Sequence, residues 1–148
     1  TVSPLTLVNG SFKNWQGMTD SGMRQVVKRI YFDVHSIRLL NSETRQNLTD
    51  KNMVAPEETE GEVVNIGLFR HYIEAYLRKR DDVSKSATLL VRQLEATQSG
   101  VPIELYFFIG TTDWVSYEQK TSDILEHIYA YANEFGLQIY EGLPVANT

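Results

Sequence analysis

Between Val101 and Ile109 every second residue is apolar: Val101, Ile103, Leu105, Phe107 and Ile109. Such alternation puts five side chains on one face of an extended strand, so the segment belongs in a sheet with one packed side. A second alternating stretch begins near Val26. There Ile30, Phe32 and Val34 point one way, and Arg29, Tyr31, Asp33 and His35 point the other. A third run, Leu89, Leu90, Val91 and Leu94, precedes Val101, and Gln98-Ser99-Gly100 reads as the hairpin loop between them. Pro102 sits near a strand start, where a missing donor matters little.

Helical periodicity fills the gaps between these strands. Ile66, Phe69, Ile73, Tyr76 and Leu77 recur at helical spacing behind Asn65, which is predicted as the N-cap. Arg78-Lys79-Arg80 complements the helix dipole, and Glu74 with Arg78 adds an i, i+4 pair. A second long helix starts at Asp113, carries Tyr117, Ile124, Ile128, Tyr131 and Phe135 on one face, and stops at Gly136. Leu137 and Ile139 read as a last short strand, and Ser42 as the cap of a short helix over about residues 43–52. From residue 24 the order is therefore strand, helix, strand, strand, helix, strand. That is α+β: the ferredoxin-like split βαββαβ, a four-stranded antiparallel sheet with both helices on one face. Residues 41–64 form an insert in its first crossover. Within it, 55–64 carries Glu57, Glu58, Glu60 and Glu62 with Pro56 and Gly61, too little apolar area to offset ordering, which predicts a mobile loop. Ahead of all this, residues 5–15 read as one or two strands anchored by Leu5, Leu7, Phe12 and Trp15, followed by a glycine-bounded connector over 17–23.

Catalytic and ligand chemistry is hard to find in this chain. It has no cysteine, which excludes disulfides and thiolate metal sites. His35, His71 and His127 lie on different elements with no HxxxH spacing, so no metal site or cofactor is expected. GxGxxG, GxxxxGK[ST] and GxSxG are all missing, and an enzyme is not expected. The net charge of −5 divides unevenly. Residues 1–40 carry five Lys/Arg against two acids, and the rest carry nine against seventeen. A basic front on an acidic body argues against a nucleic-acid module and is compatible with a front end near an anionic membrane surface. Glu104-Leu105-Tyr106-Phe107-Phe108-Ile109 has the aromatics of an RNA-binding strand without its glycines or basic residue. His35-Ser36-Ile37-Arg38 lacks the glycine that an acylphosphatase-like anion cradle needs. No apolar run approaches the roughly 20 residues of a spanning helix.

Helices cover one side of such a sheet. The other should carry Tyr31, Asp33, His35, Leu90, Arg92, Leu94, Glu104, Tyr106 and Phe108. Tyr31, Leu90, Leu94, Tyr106 and Phe108 are the candidate interface residues, because an apolar patch of that size seeks cover from another subunit or from the N-terminal strands. Burying roughly 300 Å² of it contributes about 7 kcal/mol before association costs.

Three short segments carry a resemblance. Ser11-Phe12-Lys13-Asn14-Trp15 comes first. Asn65-Ile66-Gly67-x-Phe69-Arg70-x-Tyr72-x-x-Ala75-Tyr76-Leu77 follows, and then Leu90-Val91-Arg92-Gln93-Leu94. With Glu134-Phe135-Gly136-Leu137, and in this order, they resemble the cytoplasmic part of bacterial mechanosensitive channels of the small-conductance (MscS-type) superfamily, closest to its miniconductance branch. The resemblance spans about residues 4–141. It implies that residues 1–16, with Phe12 and Trp15 as anchors, end a small β domain, and that 24–148 is the αβ domain of a hollow vestibule built from seven copies. The expected partners are then copies of the chain itself and, through helices upstream of this sequence, a bacterial inner membrane, with this part on its cytoplasmic side. No nucleic acid and no small-molecule substrate is implied. The implied activity is release of ions and small solutes when hypo-osmotic shock stretches the membrane. The acidic insert and the lack of a Pro-rich ending depart from the smaller family members. The competing reading is a small-molecule-sensing regulatory domain of ferredoxin-like fold, which needs a glycine-bearing loop after its first strand; Ser36-Ile37-Arg38-Leu39 offers none.

Overall fold

In the computed structural model, which describes residues 22–141, three strands form one antiparallel sheet in the order β1-β3-β2. These are β1 (Arg24–Phe32), β2 (Leu90–Gln93) and β3 (Val101–Ile109). Three helices accompany them: α1 (Ser42–Asp50), α2 (Asn65–Lys79) and α3 (Trp114–Ala132). The β-domain anchors Phe12 and Trp15, and most of the connector over 17–23, lie outside the described residues.

The alternation in β3 is realised in full. Val101, Ile103, Leu105, Phe107 and Ile109 are all buried on one face, beside Val26, Ile30 and Phe32 of β1 and Val91 of β2. Ile66, Phe69, Ile73 and Leu77 of α2 and Ile124 and Ile128 of α3 join the same core cluster. Both long helices thus pack on one side of the sheet. Phe69 is the hinge of this packing, edge-on to Phe32 at 5.9 Å and tilted against Phe135 at 4.8 Å. Gly100 turns the β2–β3 hairpin with φ +99°, and a Cβ there would stand 2.5 Å from the Phe32 carbonyl oxygen.

Several sequence expectations need correction. The fourth strand shrinks to a single bridge between Ile139 and Phe32, flanked by the bonds from Asp33 N–H to Gln138 O and from Tyr140 N–H to Tyr31 O, both 2.8 Å. The pairing is short because β1 ends there. Asp33 accepts the His35 N–H and opens a 3-10 turn, Val34–Ser36, so Val34 and His35 leave the strand and are exposed. The added segment still lies on the β1 edge, giving the 4-1-3-2 order of a split βαββαβ sheet. In α1 the cap is Asn41, whose side chain accepts from the Thr44 N–H at 2.7 Å, one residue before the expected Ser42. The acidic stretch, expected as a loop, carries a 3-10 turn, Pro56–Thr59, in which Glu58 accepts the Ala55 N–H at 2.7 Å and Thr59 is buried. The Val63 carbonyl accepts from Leu40 N–H at 2.8 Å, and Val64 bridges to Leu39. Local carboxylate capping and these backbone ties replace the apolar area that the segment lacks.

Asn65 is not the N-cap of α2. It is the first helical residue, 1% exposed, and its side chain ties three separate segments together. Its carbonyl accepts from Arg38 N–H at 3.0 Å, while its amide donates to Ser36 O at 2.9 Å and Phe135 O at 3.0 Å. The turn after β1, the start of α2 and the end of α3 therefore meet on one side chain. Gly136, with φ +76°, closes the last of these segments beside the Arg38 guanidinium.

A second seam joins α2 to α3. His127 stacks on Tyr76 with centroids 3.8 Å apart, and its Nε2 lies 2.8 Å from the Tyr72 hydroxyl. Burial pushes the Tyr72 hydroxyl up to about 12, so it stays protonated. Burial, and then the Arg80 charge, hold His127 below the ordinary histidine value. Neutral His127 and the protonated Tyr72 hydroxyl share one hydrogen bond across the seam.

Two predictions follow from these ties. Asn65→Ala leaves one partly buried N–H and two buried carbonyls without their partner, and is expected to cost about 3 kcal/mol in urea unfolding. A loss under about 1 kcal/mol would mean that water replaces the amide. Because His127 titrates lower in the fold than in the unfolded chain, the unfolded state takes up its proton first as pH falls below about 6.5. Stability should therefore decline below that pH, and His127→Gln should flatten this part of the curve, as read by thermal melts across the range.

Candidate functional site

The sheet face turned away from α2 and α3 is built in cross-strand rows set by the register. Val27, Tyr106 and Leu90 form one row, and Arg29, Glu104 and Arg92 form the next. Tyr31 faces Pro102, whose carbonyl accepts the Leu94 N–H at 3.0 Å, making a third row. Gln25 lies opposite Phe108 at the far end. Alternate residues on each strand share a face, so rows of like position repeat about 7 Å apart. The surface runs apolar, ionic, apolar.

The ionic row is one carboxylate between two guanidiniums. Glu104, 5% exposed, receives Arg92 Nε at 2.7 Å on one oxygen and Arg29 Nε at 3.2 Å on the other. Burial works to raise the Glu104 pKa, but the hydrogen bonds from Arg92 and Arg29 together outweigh it and hold the carboxyl below its ordinary range. Both arginines keep about half of their side-chain surface in water. The row therefore presents a net positive charge between two apolar strips. A partner covering it must leave the arginines solvated at a rim or supply an acid.

The predicted interface residues do not all meet. Leu90, 43% exposed, and half-buried Tyr106 share a row, with the Tyr106 hydroxyl accepting from Gln25 Nε2 at 2.8 Å. Tyr31 and Leu94 lie across the ionic row from them, and Leu94 sits just past the end of β2. Phe108 departs from expectation. It is 6% exposed, with its ring edge-on to Tyr106 at 5.7 Å. A carboxylate introduced there would be buried without a partner, so Phe108 belongs to the packing of the chain itself. Asp33 and His35 stand in the turn after β1 and not on the face. Val27, 45% exposed, belongs to the face and escaped the sequence reading. The signal was present, since the alternation that buries Val26 and Ile30 sends Val27 and Arg29 the other way.

This face carries no reactive constellation: two arginines, a carboxylate and aromatic and aliphatic side chains. Among the described residues, no three His, Asp or Glu side chains are grouped to hold a metal ion, and no helix is long and apolar enough to cross a membrane. The arrangement is suited to contact with another surface.

The ionic row makes a pH prediction. The folded Glu104 carboxyl titrates below the unfolded value of 4.5, so its ionised form stabilises the fold above that value. That contribution is lost as pH falls through the folded pKa. Glu104→Gln should lower stability at about pH 7 and lose less than the parent chain on acidification to about pH 3. Parallel losses in the two proteins, measured by urea unfolding, would show that the row contributes nothing to acid sensitivity.

Comparison with known proteins gives two findings. A scan against protein families finds no match. Among solved structures, the chain is similar to the cryo-EM structure of MSL1 from Arabidopsis thaliana, with a TM-score of 0.56 and 10% identity over 83% of this chain. The match takes in 35% of MSL1, so the chain spans about a third of that protein. At this identity the likeness is one of backbone architecture: this chain has the fold of a part of MSL1.

Proposed function

We propose that this chain is the αβ portion of the vestibule of a mechanosensitive channel of the small-conductance type, on the cytoplasmic side of a bacterial inner membrane. MSL1 is an MscS-like channel. The observation that carries the reading is the shared fold over 83% of the chain, joined to the ordered motifs at Ser11–Trp15, Asn65–Leu77 and Leu90–Leu94. In that role the chain does no chemistry and senses no tension. It assembles with copies of itself, as a heptamer, into a chamber through which ions and small solutes leave a cell after hypo-osmotic shock. The tension-sensing helices belong to the remainder of the parent protein. The apolar rows around Leu90 and Tyr106 supply part of the contact between copies.

Two measurements test this together. In bacterial cells stripped of their own mechanosensitive channels, the parent protein should raise survival of hypo-osmotic shock, and Tyr106→Glu in that protein should abolish the gain. In the purified chain, Tyr106→Glu should weaken self-association in sedimentation while leaving the melting temperature within a few degrees, since Tyr106 is only half buried. A parent protein that gives no protection overturns the channel reading. Protection that persists with Tyr106→Glu, together with unchanged association, removes this face from the assembly.

A further inference from the structure

A cleft on the helical side of the molecule is independent of the sheet face. It has a volume of about 380 Å³ and is walled by Tyr72 and Tyr76 of α2 and Tyr131 of α3. Lys51 and Asn52, at the end of α1, and Lys79, in the last turn of α2, form its rim. That volume falls within the range of small-ligand sites.

The walls are set in place before any ligand arrives. His127 lies flat on Tyr76 at 3.8 Å with 5° between the planes, and its ring centroid is 4.3 Å from that of Tyr131. Tyr72 is fixed by its bond to His127 Nε2, and the Tyr76 hydroxyl accepts from Arg80 Nη1 at 2.9 Å. Rings held this way lose little freedom on contact with a ligand and offer flat, polarisable surface. The rim is cationic. Lys51 shares its charge with Glu134 at 2.8 Å, whereas the Lys79 ammonium has no hydrogen-bond or ion-pair partner among the described residues.

We propose that this cleft binds a small anion carrying a flat ring, with the ring against Tyr76 and Tyr131 and the anionic group at Lys79. Phosphorylated nucleosides and aryl carboxylates share that chemistry. The site requires both halves of the ligand: a ring to use the tyrosines and a charge to use the lysine.

The test titrates the whole chain, followed by backbone amide NMR, with adenosine monophosphate, benzoate, adenosine and inorganic phosphate as separate probes. The two ring-bearing anions divide the sources: the phosphorylated nucleoside or the aryl carboxylate should move amides of α2 and α3 around the cleft. The better of them should bind several-fold more tightly than adenosine or phosphate. Lys79→Ala, at an exposed position, should weaken the anion about threefold and leave adenosine unchanged. Tyr131→Ala should weaken both, and Tyr131→Phe, which keeps the ring, should restore binding. The proposal fails if neither ring-bearing anion binds, if phosphate binds as well as they do, or if adenosine does. It fails equally if Lys79→Ala changes nothing or if the shifts map outside the cleft. Should Tyr131→Ala not fold, the Lys79→Ala comparison decides alone.

Discussion

The buried amide of Asn65 holds the architecture at its one weak point. A split βαββαβ fold must bring the end of its first strand, the start of its first long helix and the end of its second to one corner, although Ser36 and Phe135, in the outer two, are 99 residues apart in the chain. Here no strand ladder does this, because the fourth strand is reduced to one bridge at Phe32 and Ile139. A single side chain with one acceptor and two donors takes its place, and every capacity it uses is spent on backbone. A buried amide satisfied in this way fixes geometry as well as stability, since any shift of one segment strands polar groups of the other two. Gly136 beside it then has little room for a side chain, with the Arg38 guanidinium 3.1 Å from where a Cβ would stand.

With that corner fixed, the two sheet faces take opposite characters. The helix side is close-packed around Phe32, Phe69, Phe107 and Phe135, all fully buried. The other side alternates apolar and ionic rows. A carboxylate shared by two arginines at its centre is an uncommon choice for a surface meant to stay in water, because Glu104 is almost wholly removed from solvent while its partners are not. The pairing fixes both guanidiniums over the sheet and leaves one positive charge uncompensated. Such a centre gives register and orientation to a contact more than it gives affinity. In the assembly proposed above, the apolar rows on either side would supply the area.

The element order, the two long helices and the facing of β3 were legible from sequence, because periods of 2.0 and 3.6 residues are local and do not depend on what packs against them. The Glu74–Arg78 pair was legible for the same reason and is present at 2.9 Å, whereas Asp113, read as the helix start, is its cap, accepting the Ser116 N–H at 2.9 Å. Phe108 was misjudged because its own alternation points it away from the helices, and alternation says nothing about what a chain folds over its second face. Asn65 was misread as a cap because Asn before an apolar run is a common N-cap pattern, whereas its true partners lie at Ser36, Arg38 and Phe135. The aromatic seam of Tyr72, Tyr76, His127 and Tyr131 could be seen only as scattered helical positions until two helices brought them side by side.

What the sequence determined by itself is therefore the set of elements and the inward faces of β1, β3, α2 and α3, since side-chain periodicity is a property of each segment alone. The tertiary structure decided the rest. It chose which strand keeps its full ladder, which polar side chain bridges three segments, and how three charges share one row. It also decided which rings enclose a cleft. Each of these depends on residues far apart in the chain being brought within a few ångströms, and distances between elements are set by packing and not by the order of the residues within them.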